Sequence, residues 1–506
     1  MASLNSPRFT MMNIIIGFTI VFALEVGKSN CQDNFFNSTT SPKTLCEMTP
    51  YPNACYYIQK EGVNDSLLLY KLSVQLSIQE VLRVSTVLNQ TFKDMKDPSL
   101  ISAIESCQIL LSLSLNNLNQ SIPTTSFVTP DTQHDFQTWL SAADADLETC
   151  IDGFEYATDN IRNIVNQNLD NSTKLISNSL SIISKIDDLI HDDKQGKLRT
   201  NGWPPSWLSS EDKSLFLNES KQMKPDIVVA GDGTGNFKTI NEAIRVVPPF
   251  SPRRFVIYVK KGVYFENVRI GYTKVNVMIF GDGMDQTIVS AKLSNGSGVA
   301  TFLSATFAVD GSGFIARDIG FYNTAGPTRF QAVALLSTAD KSVFYRCRID
   351  GYQDSLYAHS SRQFYRECSI YGTIDFIFGR SSVVIQKSNI LVKKPLFGQE
   401  NTITADLRRS PQFFTGISIQ LCNISAAEYL GGARTFLGRP LKSYSTTIFL
   451  ENVLNSLIDP QGWFYGTPNA VPPDTIFYAE YKNKGPGAVI GGRVKWRGLR
   501  LNIPFA

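Results

Sequence analysis

The chain has 506 residues, of which 43 % are hydrophobic, 18 % charged and 11 % aromatic. This length exceeds one ordinary core, since domains usually hold about 100–200 residues, and the apolar content excludes wholesale disorder. Forty-eight basic residues against 45 acidic ones leave a formal net charge of +3, which gives no electrostatic argument for a nucleic-acid partner. We therefore expect two folded domains behind a leader segment.

Residues 1–28 are predicted to be a secretory signal peptide. Arg8 supplies a positive charge, residues 11–26 are mostly apolar, and small residues such as Ala23 and Gly27 offer cleavage positions. A signal anchor is the alternative, although about 16 apolar-rich residues are short for a span of about 20. No later stretch is expected to form a stable membrane span, so the predicted location is secreted and extracellular.

The sequons and cysteines agree with a secretory route. Eight asparagines are glycosylation candidates: Asn37, Asn64, Asn89, Asn119, Asn171, Asn218, Asn295 and Asn423. The eight cysteines match no zinc-ligand spacing, and an oxidising compartment makes disulfides their expected use. No metal site and no cofactor are predicted.

Residues 31–190 are predicted to form a small antiparallel bundle of helices. Apolar residues recur there at intervals of three and four, the spacing that lines one helix face, as in Leu140, Ala143, Leu147, Ile151 and Phe154. Two similar faces lie before and after this one. The histidines and carboxylates of this half form no catalytic pattern, so packing is the expected role of its helices.

Residues 191–222 are predicted to be a linker with a possible processing site. The segment contains the Pro204-Pro205 pair and three basic residues, Lys194, Lys197 and Arg199.

From residue 223 to 506 the pattern changes to short β-branched and aromatic runs separated by Gly and Asn. Phe255–Val259, residues 275–280 and Ser382–Gln386 are examples. Many short strands over about 280 residues are typical of a large sandwich, a barrel or a parallel β-helix.

The spacing of identical residues favours the β-helix. Three pairs repeat at 21 or 22 positions: Gln331 and Gln353, Asp354 and Asp375, and Cys347 and Cys368. A repeat of this length suits one coil of a solenoid, whose stacked strands lie about 4.8 Å apart. Members of each pair should therefore be neighbours, and the two cysteines should lie close enough for a disulfide.

Two neighbouring carboxylates predict acid–base chemistry. Asp354 and Asp375 cannot both ionise comfortably, so one pKa should rise and the other should be kept low by a cation, which divides an acid from a nucleophile or base. The amides of Gln331 and Gln353 can donate hydrogen bonds to a developing oxyanion. The alternative is that these four polar residues simply terminate coils.

Five motifs occur in order along this half: Gly262-Val-Tyr-Phe-Glu266, Gln331-Ala-Val-Ala-Leu335, Gly351-Tyr-Gln-Asp-Ser-Leu-Tyr357, Gly372-Thr-Ile-Asp-Phe-Ile-Phe-Gly379 and Leu437-Gly-Arg-Pro440. Together they resemble the plant pectinesterases (pectin methylesterases), which are right-handed parallel β-helix enzymes of the cell wall. The resemblance runs from about Asp226 to the C-terminus. It implies that residues 223–506 form an all-β catalytic domain.

The first half is similar to the pectin methylesterase inhibitor domain, an all-α four-helix bundle with an N-terminal helical hairpin. The resemblance rests on the string from Leu45 to Cys55, Leu-Cys-Glu-Met-Thr-Pro-Tyr-Pro-Asn-Ala-Cys, and on two later cysteines. It implies pairing of Cys46 with Cys55 and of Cys107 with Cys150. Cys31 and Cys422 stay unassigned.

The resemblance to pectinesterases implies a role for each site residue. Asp375 would be the nucleophile, and Asp354 would be the acid and then the base. The remaining candidates would stabilise the oxyanion, hold Asp375 ionised or contact the substrate: Gln353, Gln331, Arg439 and Thr301. The implied reaction is hydrolysis of galacturonate C6 methyl esters in methyl-esterified homogalacturonan through an aspartyl acyl-enzyme, which gives methanol and de-esterified pectin. The resemblance also implies that the N-terminal domain is autoinhibitory. Pectinesterase inhibitor proteins are the implied protein partners.

Two departures from the family pattern concern substrate binding. Leu441 and Gly466 stand where the family usually has tryptophans on which a sugar can stack. We expect weaker or altered pectin binding, with partial compensation by Phe464 or Tyr465. The linker also has Lys197-Leu-Arg199 in place of the usual basic pair.

Several alternatives stay open. The Gly231-Asp-Gly-Thr-Gly235 string is expected to be a turn and not a phosphate loop, because it lacks the Lys-Ser/Thr ending. A Ser-His-Asp esterase would need a Gly-x-Ser-x-Gly elbow, which the chain lacks, and His359 is expected to be structural. Other functional classes are a catalytically weak pectin-binding protein and an inhibitor that acts in trans.

Overall fold

A computed structural model describes residues 41–59, 63–125, 127–155, 157–187, 205–217, 224–466 and 470–502. Several predictions fall outside these residues: the signal peptide, the sequons at Asn37 and Asn218, Cys31, and the processing site in the linker. They stay predictions, as do the domain boundaries at residues 31, 191 and 223.

The N-terminal half is a helical bundle, as predicted. Its helices are α1 (Pro42–Glu47), α2 (Pro52–Gln59), α3 (Ser66–Phe92), α4 (Pro98–Gln120), α5 (Pro130–Asp152) and α6 (Asp159–Asp187). The four long helices form a closed ring in which each packs against two others. The starts of α3, α4 and α5 are fixed by the side chains of Asp65, Asp97 and Thr129, which accept hydrogen bonds from first-turn backbone N–H groups.

Two disulfides tie the bundle together with the implied pairing. Cys46–Cys55 joins the short helices α1 and α2, with a Cα–Cα distance of 5.3 Å. Cys107–Cys150 joins α4 to α5 at 4.5 Å. The two short helices therefore form the hairpin that precedes the four-helix bundle.

Helix α4 differs from one expectation. Within the described part of the chain it is long and apolar enough to cross a membrane by length and composition, whereas no segment beyond the leader was expected to be. Its residues Cys107, Leu110 and Leu118 are buried, and it packs against α3 and α5. This is the environment of a core helix in a bundle.

The described end of the predicted linker lies against the second half. Helix α7 (Ser210–Leu217) carries Asp212, which pairs with Arg254 at 2.7 Å. Just before it, Leu208 is buried against Met278 and Phe364. One further short helix, α8 (Ile240–Val246), follows.

The second half consists of short strands: β1 (Ile227–Val229), β2 (Phe255–Val259), β3 (Gly262–Tyr264), β4 (Val268–Ile270), β5 (Val277–Phe280), β6 (Thr287–Ala291), β7 (Phe307–Val309), β8 (Ile315–Arg317), β9 (Gly320–Asn323), β10 (Leu335–Ser337), β11 (Ser342–Tyr345), β12 (Arg348–Asp350), β13 (Leu356–Ala358), β14 (Arg362–Arg366), β15 (Ser369–Gly372), β16 (Ile377–Gly379), β17 (Ser382–Gln386), β18 (Asn389–Val392), β19 (Asn401–Asp406), β20 (Gly416–Gln420), β21 (Asn423–Ala426), β22 (Thr435–Pro440), β23 (Thr446–Leu450), β24 (Val453–Leu454), β25 (Phe477–Tyr481) and β26 (Leu499–Leu501). Two of the three predicted strands, Phe255–Val259 and Ser382–Gln386, have the expected bounds. The third begins later than expected, at Val277.

The strands form three parallel sheets of a β-helix, which confirms the predicted fold class. The successive strands of one coil belong in turn to the first, second and third sheets. The first sheet has 11 strands (β1 to β26), the second has 8 (β3 to β24) and the third has 7 (β4 to β22). Leu335 pairs with Leu356, and Leu356 pairs with Ile377. These partners are 21 residues apart, so the predicted repeat is the length of one coil.

The corner between the first and second sheets repeats from coil to coil. Its turn residue has a positive φ in successive coils: Asp318, Arg346, Glu367, Lys387, Leu421, Glu451 and Lys482. The next residue is buried in six of these seven coils, and in this ladder the Cys368 N–H donates to Ser388 Oγ (3.1 Å) and the Cys422 N–H donates to Asn452 Oδ1 (2.8 Å). Polar side chains thus satisfy backbone donors that the corner leaves unpaired.

The predicted disulfide between Cys347 and Cys368 is wrong, although the two residues do stack. Both are free buried thiols, and the strands that follow them pair Arg348 with Ser369. Equivalent side chains on stacked parallel strands run side by side about 4.8 Å apart, whereas a disulfide needs Cβ atoms about 3.5–4.5 Å apart. Each thiol lies instead beside a backbone carbonyl, Cys347 at 3.5 Å from Tyr345 O and Cys368 at 3.4 Å from Phe344 O.

Candidate active site

A cavity of about 510 Å³ lies on the outer face of the third sheet. All the catalytic and substrate-binding residues predicted from the sequence line it: Asp354, Asp375, Gln353, Gln331, Arg439, Thr301 and Leu441. These residues span 140 positions of the chain, and the coils bring them to one place.

The two carboxylates occupy equivalent positions in neighbouring coils. Asp354 lies two residues before β13, and Asp375 lies two residues before β16. Both have left-handed backbone conformations, with φ of 65° and 50°. Such a conformation costs free energy for most residues and is tolerated best by Gly, Asn and Asp.

Asp375 is held by a cation and a hydroxyl. Arg439 Nε donates to both carboxylate oxygens, at 2.9 and 3.2 Å, and Arg439 Nη2 donates to Oδ2. The Thr402 hydroxyl donates to Asp375 Oδ1 at 2.6 Å and accepts the Asp375 backbone N–H at 2.9 Å. A forked guanidinium contact of this kind stabilises the ionised carboxylate and fixes its orientation.

Asp354 has the opposite environment. It is 7 % exposed, and none of the described residues hydrogen-bonds to its carboxyl group. Burial first, and then the charge of Asp375, raise the pKa of Asp354 well above its usual range, against the smaller opposing effect of Arg439. The pair therefore presents one clamped carboxylate and one carboxyl group that favours its protonated form.

The two glutamines extend the site toward the start of the β-helix. Backbone bonds hold them in the coil edge, because the Asn295 N–H donates to Gln331 O (2.8 Å) and the Ala332 N–H donates to Gln353 O (3.2 Å). Within the described structure no partner is bonded to either side-chain amide, so both amides are available to a ligand.

Sequence and structure comparisons identify the family. The pectinesterase family model matches residues 226–504, and the plant invertase/pectin methylesterase inhibitor model matches residues 40–182. Pectinesterase 3 of Phaseolus vulgaris is 42 % identical over 92 % of this chain and 82 % of its own length. A pectinesterase/pectinesterase inhibitor of Prunus persica is 42 % identical over 92 % of this chain and 88 % of its own. The chain belongs to the pectinesterase family.

A solved structure agrees with this assignment. Pectin methylesterase from carrot is 46 % identical, with a TM-score of 0.55, and the match covers 56 % of this chain and 91 % of the carrot chain. Almost the whole carrot chain thus matches a part of this chain that has the size of the pectinesterase domain. The solved carrot chain therefore holds a domain of this size with little else attached.

Aromatic residues form part of the cavity floor in the pectinesterase domain. Tyr357 and Phe378, on adjacent strands β13 and β16, stack with ring centroids 4.1 Å apart and line the cavity. Leu441 is 38 % exposed at the cavity edge. Phe464 and Tyr465 line a separate cavity of about 330 Å³, and their partial compensation for Leu441 and Gly466 stays a prediction.

The inhibitor-like domain covers the site. Ser106, Thr149, Asp152, Gly153 and Glu155, all from or beside α4 and α5, line the same cavity as the two aspartates. They complete the cavity wall opposite the third sheet.

His359 is part of this domain contact and not of the catalytic group. Its Nε2 lies 2.9 Å from Thr149 Oγ1 and its Nδ1 lies 3.1 Å from Ser360 Oγ. Burial lowers the pKa of His359 to about 3. A structural role for His359 agrees with the sequence-based expectation.

Sequence reasoning missed Thr402 and the residues of the inhibitor-like domain. Thr402 lies 27 positions after Asp375, outside the interval of 21 or 22 that pointed to the other site residues. Helix α5 lies some two hundred positions before the aspartates. Neither a repeat nor a local pattern connects these segments, so no signal in the single sequence could have found them.

Proposed function

We propose that this protein hydrolyses C6 methyl esters of galacturonate in pectin through an aspartyl acyl-enzyme. The observation that carries the proposal is the contrast within the carboxylate pair, in which Asp375 is clamped by Arg439 and Asp354 is buried without a hydrogen-bond partner among the described residues. A nucleophile must be ionised and a general acid must be protonated, so the two environments suit the two roles.

The first half-reaction forms the acyl-enzyme. A carboxylate oxygen of Asp375 attacks the ester carbonyl carbon, and the amides of Gln331 and Gln353 donate hydrogen bonds to the resulting oxyanion. Asp354 gives its proton to the methoxy oxygen, the carbon–oxygen bond breaks, and methanol leaves.

The second half-reaction restores the enzyme. The Asp354 carboxylate takes a proton from water, and the water oxygen attacks the acyl carbonyl carbon. The bond to Asp375 breaks, so Asp375 leaves as a carboxylate and the sugar carries a carboxylic acid. Arg439 stabilises Asp375 as this negative charge returns, and Thr301 and Leu441 contact the sugar chain.

The inhibitor-like domain is proposed to be autoinhibitory. Thr149, Asp152 and Glu155 line the cavity that contains Asp354 and Asp375. A polymeric substrate must reach across a cleft, and it cannot do so while the end of α5 closes one side. A separate pectinesterase inhibitor protein would meet this surface only after the attached domain has left it.

Secretion to the cell wall is the proposed location. Two disulfides are typical of an oxidising compartment. Five sequon asparagines are exposed: Asn64, Asn89, Asn119, Asn171 and Asn423. Asn295 differs, because it is half-buried and lines the active-site cavity.

Methanol release from highly methyl-esterified pectin tests these proposals. The full chain is compared with the pectinesterase half, begun at Pro205 so that Leu208 and α7 keep their packing, and with its isosteric Asp375→Asn variant. We expect the half to release methanol, the variant to lose activity on the order of 10⁴-fold, and the full chain to be slower than the half. A folded half without activity would refute the esterase, and equal rates for full chain and half would refute autoinhibition.

A further inference from the structure

Three basic side chains of the pectinesterase domain lie against the C-terminal half of helix α5. Arg409 contacts Asp144 through two hydrogen bonds, one of them from Nε at 3.0 Å, and its Nη1 lies 3.5 Å from Glu148. Lys442 Nζ lies 3.7 Å from Asp152. The third basic side chain, Arg380, lies between them.

Arg380 is buried without a hydrogen bond. It is 4 % exposed, and its Nε, Nη1 and Nη2 atoms have no hydrogen-bond partner within the described structure. Carboxylates of Asp144, Glu148 and Asp152 surround it at 3.9, 3.7 and 3.9 Å. A buried guanidinium gains most from direct, forked contacts with a carboxylate, and these distances are too long for them.

The acidic partners are regularly spaced on the helix. Asp144, Glu148 and Asp152 follow one another at intervals of four, which places them on one face of α5 with about 6 Å between neighbours along the axis. The pectinesterase domain therefore faces a row of carboxylates, as it would if an acidic polymer lay in the same place.

The basic group adjoins the catalytic cavity through Lys442. Lys442 lines the cavity, and so does Asp152, which is shared between Lys442 and Arg380. Phe378, two residues before Arg380, also lines it. A sugar chain whose ester lies at Asp375 would thus reach Lys442 and Arg380 with its neighbouring units once α5 has moved away.

We propose that Arg380, Arg409 and Lys442 form a subsite for free carboxylates of de-esterified galacturonate units, next to the reacting ester. In the full chain the carboxylates of Asp144, Glu148 and Asp152 occupy this subsite as surrogates. The inference rests on the proposed function, because it takes pectin as the substrate. It assigns a preference for partly de-esterified pectin, since a neutral methyl ester offers no charge to three cations.

Binding of trigalacturonate to the full chain tests the subsite. The triple variant removes the surrogate charges through the substitutions Asp144→Asn, Glu148→Gln and Asp152→Asn. It should bind trigalacturonate at least about tenfold more tightly than the wild type. Adding Arg380→Gln and Arg409→Gln should abolish this gain. Lys341→Gln is the matched control, because Lys341 also faces α5, at 3.5 Å from Asp135, without lining the cavity. Fully methyl-esterified trigalacturonate should bind equally well with and without the two arginines.

Hydrogen exchange of the wild-type chain is a second test, and its result does not depend on whether a variant folds. Polygalacturonate should compete with α5 and increase amide exchange in residues 144–152, whereas fully methyl-esterified pectin should not. No increase, or a gain in trigalacturonate affinity that survives loss of both arginines, would overturn the subsite. Methanol release by the same variants separates the two proposals, because arginine-dependent binding without any methanol would refute the esterase and leave the subsite standing.

Discussion

Replacing Thr402 by valine removes one hydroxyl and leaves the volume of the side chain almost unchanged. That hydroxyl makes two contacts with Asp375, donating to Oδ1 at 2.6 Å and accepting the backbone N–H at 2.9 Å. Thr402 itself is buried and does not line the cavity. The substitution therefore tests how far the orientation of Asp375 depends on a residue that the substrate does not touch.

The expected loss follows from the two bonds. A hydrogen bond to a charged group contributes about 1.5–3 kcal/mol, and each 1.36 kcal/mol is tenfold in rate. If the bond to Oδ1 contributes its whole free energy to stabilising the transition state, kcat falls about ten- to a hundred-fold. The Asp375 N–H loses its acceptor as well, which costs about 1–3 kcal/mol of folding free energy. KM should change little, because Thr402 makes no contact with the sugar.

The assay is methanol release by the pectinesterase half, with kcat and KM determined separately and the free energy of unfolding measured by urea denaturation. Thr402→Ser is the control, because serine keeps the hydroxyl and should restore most of kcat. A valine variant that retains kcat within twofold, or a serine variant as slow as valine, would refute the positioning role.

Three further predictions concern residues around the site and in the coils. Burial raises the pKa of Asp406 to about 7 from an ordinary 3.8, so the folded state favours the protonated form and the carboxyl group weakens folding progressively between about pH 4 and pH 7. Asp406→Asn should therefore gain stability over the wild type across this interval, by as much as about 4 kcal/mol. Urea unfolding measures this difference, and an equal difference between variant and wild type at pH 4 and pH 7.5 would contradict the prediction. Leu441→Trp should lower KM for methylated pectin several-fold, because an indole at the cavity edge adds about 1 kcal/mol of stacking; a KM equal to that of Leu441→Ala would show that the position does not meet the sugar. Iodoacetamide should label Cys347, Cys368 and Cys422 only after unfolding, since all three are buried thiols, and a Cys347–Cys368 linked peptide from the native protein would contradict the structure.

The sequence predicted the parts of the fold that repeat without interruption. Asp354 and Asp375 are separated by one coil with no insertion, so their interval of 21 equals the coil length and their proximity follows from the solenoid alone. The roles of the two aspartates came from the resemblance to pectinesterases, because spacing cannot distinguish a nucleophile from an acid.

The remaining features depend on geometry that the sequence does not encode locally. The longer connection between β18 and β19 moves Thr402 out of the repeat. Stacking of Cys347 on Cys368 was predictable, but the parallel course of their side chains decides against a disulfide. The contact of α5 with Arg380 joins residues more than two hundred positions apart through packing of two separately patterned halves.

Placement of the inhibitor-like bundle and the β-helix on one chain has a consequence for how α5 can be displaced. Two separate proteins would dissociate on dilution, but a tethered domain meets its own cavity at an effective concentration set by the connecting segment. Dilution of the intact chain therefore leaves the occupancy of the cleft by α5 unchanged. A cut in the connecting segment makes this contact bimolecular. The concentration of the released bundle, which falls as the available volume grows, then determines whether the cleft is open.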